Sequence, residues 1–178
     1  MVKNFISQPV FLCGMMGAGK STIGKIIADK LDLPFHDLDE IIEKSEKMSI
    51  PEIFKTRGEN EFRKIERELL IQHSQVAEGI TALGGGSLQN LNLVDHVKSS
   101  GWLIFLHAEQ DILIDRLSGS KNRPLLEKAQ ISDKIKELLN NRLPLYKQAH
   151  ITVDTSTKTT DQIVDTILKK LRFYENAH

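Results

Sequence analysis

Short apolar runs alternate with longer, more polar segments along the whole chain. The short runs predict strands over residues 10–13, 35–38, 80–83, 102–106 and 151–153. The longer segments carry apolar residues at helical spacing and predict helices over residues 20–31, 50–73, 88–98, 109–117, 131–146 and 160–174. Gly58 is expected to divide the second of these into two helices. Residues 118–127 predict a loop because they contain glycine, proline and polar residues.

This order of elements is typical of an α/β protein, in which helices cover both faces of a parallel sheet. The length of 178 residues fits one domain, so we expect a single domain over residues 1–178. In such sheets ligands bind beyond the carboxyl ends of the strands. The residues that directly follow each predicted strand are therefore the candidates for function.

Composition narrows the classes of partner. Lys plus Arg and Asp plus Glu both number 24, so the formal net charge is zero. A neutral chain has no general attraction for nucleic acid or an anionic membrane, and we expect neither as a partner. Cys13 is the only cysteine, which excludes an intrachain disulfide and fits a cytoplasmic location. We recognise no signal peptide, and the apolar runs are too short to span a bilayer.

The first predicted strand leads into a phosphate-binding loop. The run Gly14-Met15-Met16-Gly17-Ala18-Gly19-Lys20-Ser21 matches the pattern G-x-x-x-x-G-K-[ST], and a predicted helix follows it. Glycines let backbone N–H groups turn toward phosphate oxygens, and the start of the helix attracts the same anion. Lys20 would reach the β- and γ-phosphates, and the Ser21 hydroxyl would ligate Mg²⁺. The loop predicts nucleotide binding, but it does not separate kinases from GTPases or other nucleotide-driven proteins.

Two carboxylates end the second predicted strand. Asp37 and Asp39 are two residues apart, so on a strand they would face the same side, toward the phosphate loop. One could hold a water of the Mg²⁺ shell, and the other could orient or deprotonate a substrate hydroxyl. The alternative is that these aspartates cap the helix that follows. The residues alone leave both interpretations open.

A glycine triplet and a few arginines complete the candidate chemistry. Residues 84–86 are all glycine and follow the third predicted strand, where they form either a close approach to a ligand or a flexible turn. Arg123 lies in the predicted loop 118–127, which could close over ATP and bring a charge to the transferring phosphate. Arg63 and Arg142 also carry planar forks, which can grip a carboxylate or a phosphate. For each arginine the alternative is an exposed helix face or a surface ion pair.

In this order the segments resemble the shikimate kinase family, over about residues 11–156. The matching pieces are 14–22, Asp37-Leu38-Asp39, Gly58-Glu59 with Phe62-Arg63, the triplet 84–86, Arg123-Pro124-Leu125-Leu126, and Arg142 with Tyr146. The resemblance implies a kinase of the nucleoside-monophosphate-kinase-like fold, with a five-stranded parallel sheet between helices and a lid at about 118–127. It implies phosphorylation of the 3-hydroxyl of shikimate by ATP with Mg²⁺, in chorismate and aromatic amino-acid biosynthesis. We also expect a monomer.

The resemblance further assigns roles to individual residues. It implies that Asp39 holds the substrate hydroxyls and acts as a base, with Lys20 and Arg123 as the other catalytic groups. The implied substrate-binding residues are Asp39, Arg63, Glu66, Gly84, Gly85 and Arg142, with Glu66 orienting Arg63. The implied nucleotide-binding residues are Gly17, Ala18, Gly19, Lys20, Ser21, Thr22, Arg116 and Arg123, with the loop 154–156 near the adenine. The implied Mg²⁺ residues are Ser21 and Asp37.

Three other classes remain as competitors. Another P-loop metabolite kinase, such as one acting on gluconate, would share the phosphate loop but would not need a carboxylate clamp of two arginines with this spacing. A GTPase-type switch normally reads guanine through an Asn-Lys-x-Asp loop, which this sequence lacks. A non-catalytic ATP-binding module would not need the lysine, the paired carboxylates and the loop arginine together.

Overall fold

The computed structural model describes residues 4–118 and 125–177, and the side chains of these ranges except those of residues 125–131. The strands are β1 (Val10–Cys13), β2 (Phe35–Asp37), β3 (Ile80–Ala82), β4 (Trp102–His107) and β5 (Ile151–Asp154). The helices are α1 (Lys20–Leu31), α2 (Leu38–Glu46), α3 (Ile50–Val76), α4 (Leu91–Ser100), α5 (Gln110–Ser118), α6 (Leu125–Tyr146) and α7 (Thr160–Ala177).

The five strands form one parallel sheet in the order β2-β3-β1-β4-β5. This confirms the predicted α/β architecture. The central strand β1 is buried along its whole length, as expected for a strand between two neighbours and under helices. Because all strands run the same way, the segments after β1, β2, β3 and β5 emerge at the same edge of the sheet. Across the described ranges, we find no helix whose length and hydropathy would suit a membrane span.

The helix α3 contains the break expected at glycine. Gly58 has φ 79° and ψ 172°, so two helical segments meet there at a kink. The first segment begins with a capping box, in which the side chain of Glu52 accepts from the Ser49 backbone N–H at 2.9 Å. The second segment carries the residues that face the candidate site.

Two predicted boundaries are wrong in ways that affect the site. Strand β2 ends at Asp37 and helix α2 begins at Leu38, so Asp39 lies in the first turn of a helix. The expectation that the two aspartates share one face of a strand is therefore wrong. Helix α6 begins at Leu125 rather than at residue 131, so the last part of the predicted loop 118–127 is helical. Arg123 lies outside the described residues.

Candidate active site

The phosphate loop joins β1 to α1 in a conformation that only glycine adopts readily. Gly14 has φ 139°, and a Cβ atom there would lie 2.5 Å from the carbonyl oxygen of Leu106. Gly19 caps α1 in a left-handed conformation with φ 91°. The helix therefore starts at Lys20 with its first N–H groups directed into the cleft, which is the arrangement that binds phosphate.

Lys20 lies across this loop. Its ammonium donates to the carbonyl oxygens of Gly14 at 2.9 Å and Met15 at 3.0 Å. Burial lowers the pKa of Lys20 below its ordinary value, and the positive charge of Arg142 adds to this, while nearby acidic groups oppose it. The ion pairs observed among the described side chains do not include Lys20. Its positive charge is thus directed at the loop where phosphates would bind.

Asp37 connects the end of β2 to the phosphate loop. One carboxylate oxygen accepts from the Ser21 hydroxyl at 2.7 Å, and the other accepts from the backbone N–H of Asp39 at 3.1 Å. The second bond caps α2, so the capping interpretation of Asp37 is confirmed. The same residue nevertheless brings a carboxylate to the start of α1.

The pair formed by Ser21 and Asp37 has the chemistry that Mg²⁺ requires. Both side chains offer oxygen, and Mg²⁺ is commonly held by one or two protein oxygens together with water and substrate phosphates. Over the described part of the chain, no group of three or more His, Cys, Asp or Glu could hold a metal ion by itself. The residues present therefore fit a nucleotide-bound Mg²⁺ better than a dedicated protein cage.

Asp39 lies beside the first glycine of the triplet. A Cβ atom on Gly84 would come within 2.9 Å of an Asp39 carboxylate oxygen and 2.9 Å of Glu66 Oε1. Burial raises the pKa of Asp39 above its ordinary value, and the negative charges of Asp37 and Glu66 raise it further. A carboxylate with a raised pKa, at the mouth of a phosphate site, is suited to accepting a proton.

Arg63 lies against the last glycine of the triplet. Its guanidinium donates to Glu66 Oε2 at 2.6 Å and to Glu59 Oε1 at 3.3 Å. A Cβ atom on Gly86 would lie 2.6 Å from Arg63 Nη1, so any side chain there would displace the guanidinium. Glu66 is 1% exposed and is the buried partner of this arginine.

Arg142 approaches the same turn from α6. A Cβ atom on Gly85 would lie 3.5 Å from Arg142 Nη1 and 3.3 Å from the backbone nitrogen of Met16. The buried hydroxyl of Tyr146 donates to the carbonyl oxygen of Gly85, and burial raises the pKa of that hydroxyl. The end of α6 is thus attached to the turn next to the phosphate loop.

A cleft of about 580 Å³ opens over these groups. It is lined by residues 16–23, Asp37, Asp39, 83–85, Arg116, Thr155, Lys158, Thr160 and Ile163. Arg116 joins the phosphate loop to the segment after β5, because it donates to the carbonyl oxygens of Gly17 at 3.1 Å and Thr155 at 2.7 Å. The predicted residues Arg63, Glu66 and Arg142 are not among the lining residues. They lie against the turn 84–86, of which Gly84 and Gly85 line the cleft.

Sequence reasoning missed two groups of contacts. Lys158, Thr160 and Ile163 line the cleft beyond β5, and no motif marks them. Ser87 donates its hydroxyl to Glu66 Oε1 at 2.7 Å, and the only signal for it is its position directly after the glycine triplet.

Comparisons with known proteins agree with this geometry. The family model for shikimate kinase matches residues 16–172. A shikimate kinase from Sulfurihydrogenibium sp. (strain YO3AOP1) is 39% identical over 163 residues, which cover 92% of this chain and 97% of that protein. The structure of a shikimate kinase from Acinetobacter baumannii in complex with shikimate has a TM-score of 0.83 at 32% identity and covers 94% of both chains. A gluconokinase from Sinorhizobium meliloti 1021 has a TM-score of 0.63 at 18% identity, covering 98% of this chain and 97% of that one, and this likeness shows the fold alone.

Proposed function

Because the chain belongs to the shikimate kinase family, we propose that it transfers the γ-phosphate of ATP to the 3-hydroxyl of shikimate. The products are shikimate 3-phosphate and ADP, and the reaction serves chorismate and aromatic amino-acid biosynthesis. The observation that supports this most directly is the convergence at the turn 84–86. One carboxylate with a raised pKa and two guanidinium groups meet there, beside a phosphate loop.

At the phosphate end, the chain binds ATP through the amides of residues 17–22. Lys20 holds a positive charge where the transferred phosphoryl group carries its negative charge, and this lowers the barrier more than it strengthens binding. Arg116 and the loop 154–156 border the adenine. Arg123, which lies outside the described residues, is proposed to add a second positive charge at the transferring phosphate.

At the acceptor end, Asp39 accepts a hydrogen bond from the substrate hydroxyl and receives its proton as the oxygen attacks phosphorus. Arg63 and Arg142, together with the N–H of Gly85, hold the carboxylate of shikimate. Fixing the acid at one end of the ring turns the hydroxyl toward the phosphate, so the reaction begins from an aligned pair.

Mg²⁺ would be held by the Ser21 hydroxyl, with Asp37 acting through a bound water. The ion supplies charge that neutralises the phosphate oxygens. Ser21 and Asp37 form a hydrogen bond at 2.7 Å, so the chain presents both oxygens at one place.

We further propose that residues 1–178 act as one kinase domain, with substrate-binding helices at about 39–73. The protein works as a cytoplasmic monomer, with neither nucleic acid nor a membrane as a partner. The neutral net charge and the single buried cysteine support this assignment.

A coupled assay of ADP release tests the proposed function. We expect slow release with ATP and Mg²⁺ alone, and release at least a hundredfold faster when shikimate is added. Gluconate serves as the control acceptor, because the gluconokinase fold is similar and gluconate also carries a carboxylate. Rapid release with gluconate and none with shikimate would contradict the assignment.

A further inference from the structure

Ser87 closes the turn that carries the glycine triplet. Its backbone N–H donates to the carbonyl oxygen of Gly84 at 3.1 Å, which fixes the turn over four residues. Its side chain is fully buried and reaches Glu66 on α3. There the hydroxyl donates to Glu66 Oε1 at 2.7 Å. Ser87 therefore links the turn to the buried carboxylate behind it.

The Ser87 hydroxyl is the hydrogen-bond donor to one of the two carboxylate oxygens of Glu66. Arg63 donates to Oε2 at 2.6 Å and Ser87 donates to Oε1 at 2.7 Å. Glu66 is 1% exposed, so water cannot replace a lost donor without entering the core. With one donor on each oxygen, the plane of the carboxylate is fixed, and this plane sets the direction from which the guanidinium of Arg63 approaches.

The same segment also holds the backbone of Arg63. The side-chain amide of Gln89 donates to the carbonyl oxygen of Arg63 at 2.8 Å. Residues 87–89 thus contact Arg63 in two ways. Gln89 binds its main chain, and Ser87 binds Glu66, the ion-pair partner of its side chain. The guanidinium is left in contact with Gly86, where a Cβ atom would lie 2.6 Å from Nη1.

We propose that Ser87 is a positioning residue for the carboxylate of the substrate. It does not touch the substrate; it orients Glu66, and Glu66 orients the fork of Arg63. The inference rests on the proposed function, because it assigns Arg63 to that carboxylate. Loss of the hydroxyl would let the fork turn, which weakens binding of the acid and leaves the phosphate loop unchanged.

The variant Ser87→Ala tests this, with Ser74→Ala as a matched control. Ser74 is also buried and its hydroxyl donates to the carbonyl oxygen of Ile71 at 3.0 Å, but it lies away from the cleft. We expect Ser87→Ala to raise the KM for shikimate about tenfold, as for the loss of one hydrogen bond to a charged group. The value of kcat and the calorimetric affinity for ATP should stay within about twofold of the parent. Ser74→Ala should alter none of the three.

Two further measurements separate positioning through Arg63 from a general loss of structure. In an Arg63→Lys background, Ser87→Ala should raise KM by less than about twofold, because the fork it positions is gone. With shikimate reduced to the alcohol at its carboxylate, parent and Ser87→Ala should have the same KM. A merely structural role would give the same added loss in both backgrounds and with both acceptors.

The outcomes are distinguishable from failure of the proposed function. If the parent neither binds shikimate nor releases ADP with it, both proposals fall. If the parent is active and Ser87→Ala keeps its KM, or loses affinity for acid and alcohol alike, only the inference on Ser87 falls. Should circular dichroism show that the alanine variant does not fold, Ser87→Cys carries the test, since a thiol is a weaker donor at the same place. A KM for that variant equal to the parent's would overturn the inference.

Discussion

Replacing either substrate arginine by lysine should weaken shikimate binding, but only one of the two replacements should also destabilise the fold. Lysine keeps the positive charge and loses the planar fork. Arg63 is joined to the buried Glu66 at 2.6 Å and to Glu59 at 3.3 Å. Arg142 has no ion pair with the described side chains, and it contacts the turn at Gly85. The two arginines therefore differ in the side chains of the protein with which they form ion pairs.

The magnitudes follow from these contacts. A hydrogen bond to a charged group contributes about 1.5–3 kcal/mol, so losing one from either fork should raise the Kd for shikimate roughly ten- to a hundredfold. In Arg63→Lys a single ammonium must bind the substrate carboxylate and also pair with Glu66, which is 1% exposed. Leaving that carboxylate poorly paired should cost about 1–3 kcal/mol of unfolding free energy. This corresponds to a fall in Tm of about 2–4 °C for each kcal/mol.

Calorimetry with shikimate and with ATP, and thermal unfolding without ligand, measure both effects. We expect both variants to lose affinity for shikimate and to keep affinity for ATP, with Arg142→Lys unfolding within about 1 °C of the parent. The acceptor control is shikimate whose carboxylate is reduced to an alcohol, which should be a poor substrate for the parent and insensitive to either replacement. If the parent phosphorylates the alcohol as well as the acid, the two arginines do not hold a carboxylate and the substrate class is wrong.

Three other predictions concern single charges. Lys20→Ala should slow turnover at least a hundredfold, a loss of about 3 kcal/mol, and near-normal steady-state rates would show that the phosphate loop does not catalyse. Asp39→Asn should abolish turnover with ATP affinity retained, whereas Asp37→Asn should raise the Mg²⁺ concentration needed for half-maximal rate; identical metal titrations would contradict this division. Burial and the charge of His36 lower the pKa of His73, so the unfolded chain binds more protons below about pH 6.5. Stability should therefore fall as the pH drops from about 6.5, and His73→Gln should reduce that slope in urea titrations at several pH values.

The elements predicted well are those fixed by local chemistry. The alternation of apolar runs and helical spacing predicts the sheet, because each strand is short and bounded by turn residues. The phosphate loop is predicted residue by residue, since Gly14 and Gly19 adopt backbone angles that other residues rarely adopt. Gly58 breaks α3 for the same reason. In each case the residues that indicate the local structure are the same residues that determine it.

The predictions that failed depend on competition between neighbouring elements. Asp39 is expected to share a strand face with Asp37, but the carboxylate of Asp37 accepts from the Asp39 backbone N–H and caps α2, which begins at Leu38. The same aspartates can end a short strand or cap a helix. Which of the two forms depends on the folded chain and not on these residues alone. The meeting of Arg63 and Arg142 is likewise tertiary, because they lie on different helices and helical periodicity relates residues within one helix only.

In the glycine triplet, glycine is required because charged side chains pack where a Cβ atom would lie, and not because the backbone must be flexible. None of residues 84–86 has a positive φ, so a left-handed turn does not explain them. A Cβ atom on Gly84 would meet carboxylate oxygens at 2.9 Å, and one on Gly86 would meet a guanidinium nitrogen at 2.6 Å. The absent side chains leave room for two carboxylates on one side of the turn and a guanidinium on the other. A flexible turn would tolerate alanine at these positions, whereas this turn would lose the contacts that hold Asp39, Glu66 and Arg63 in register.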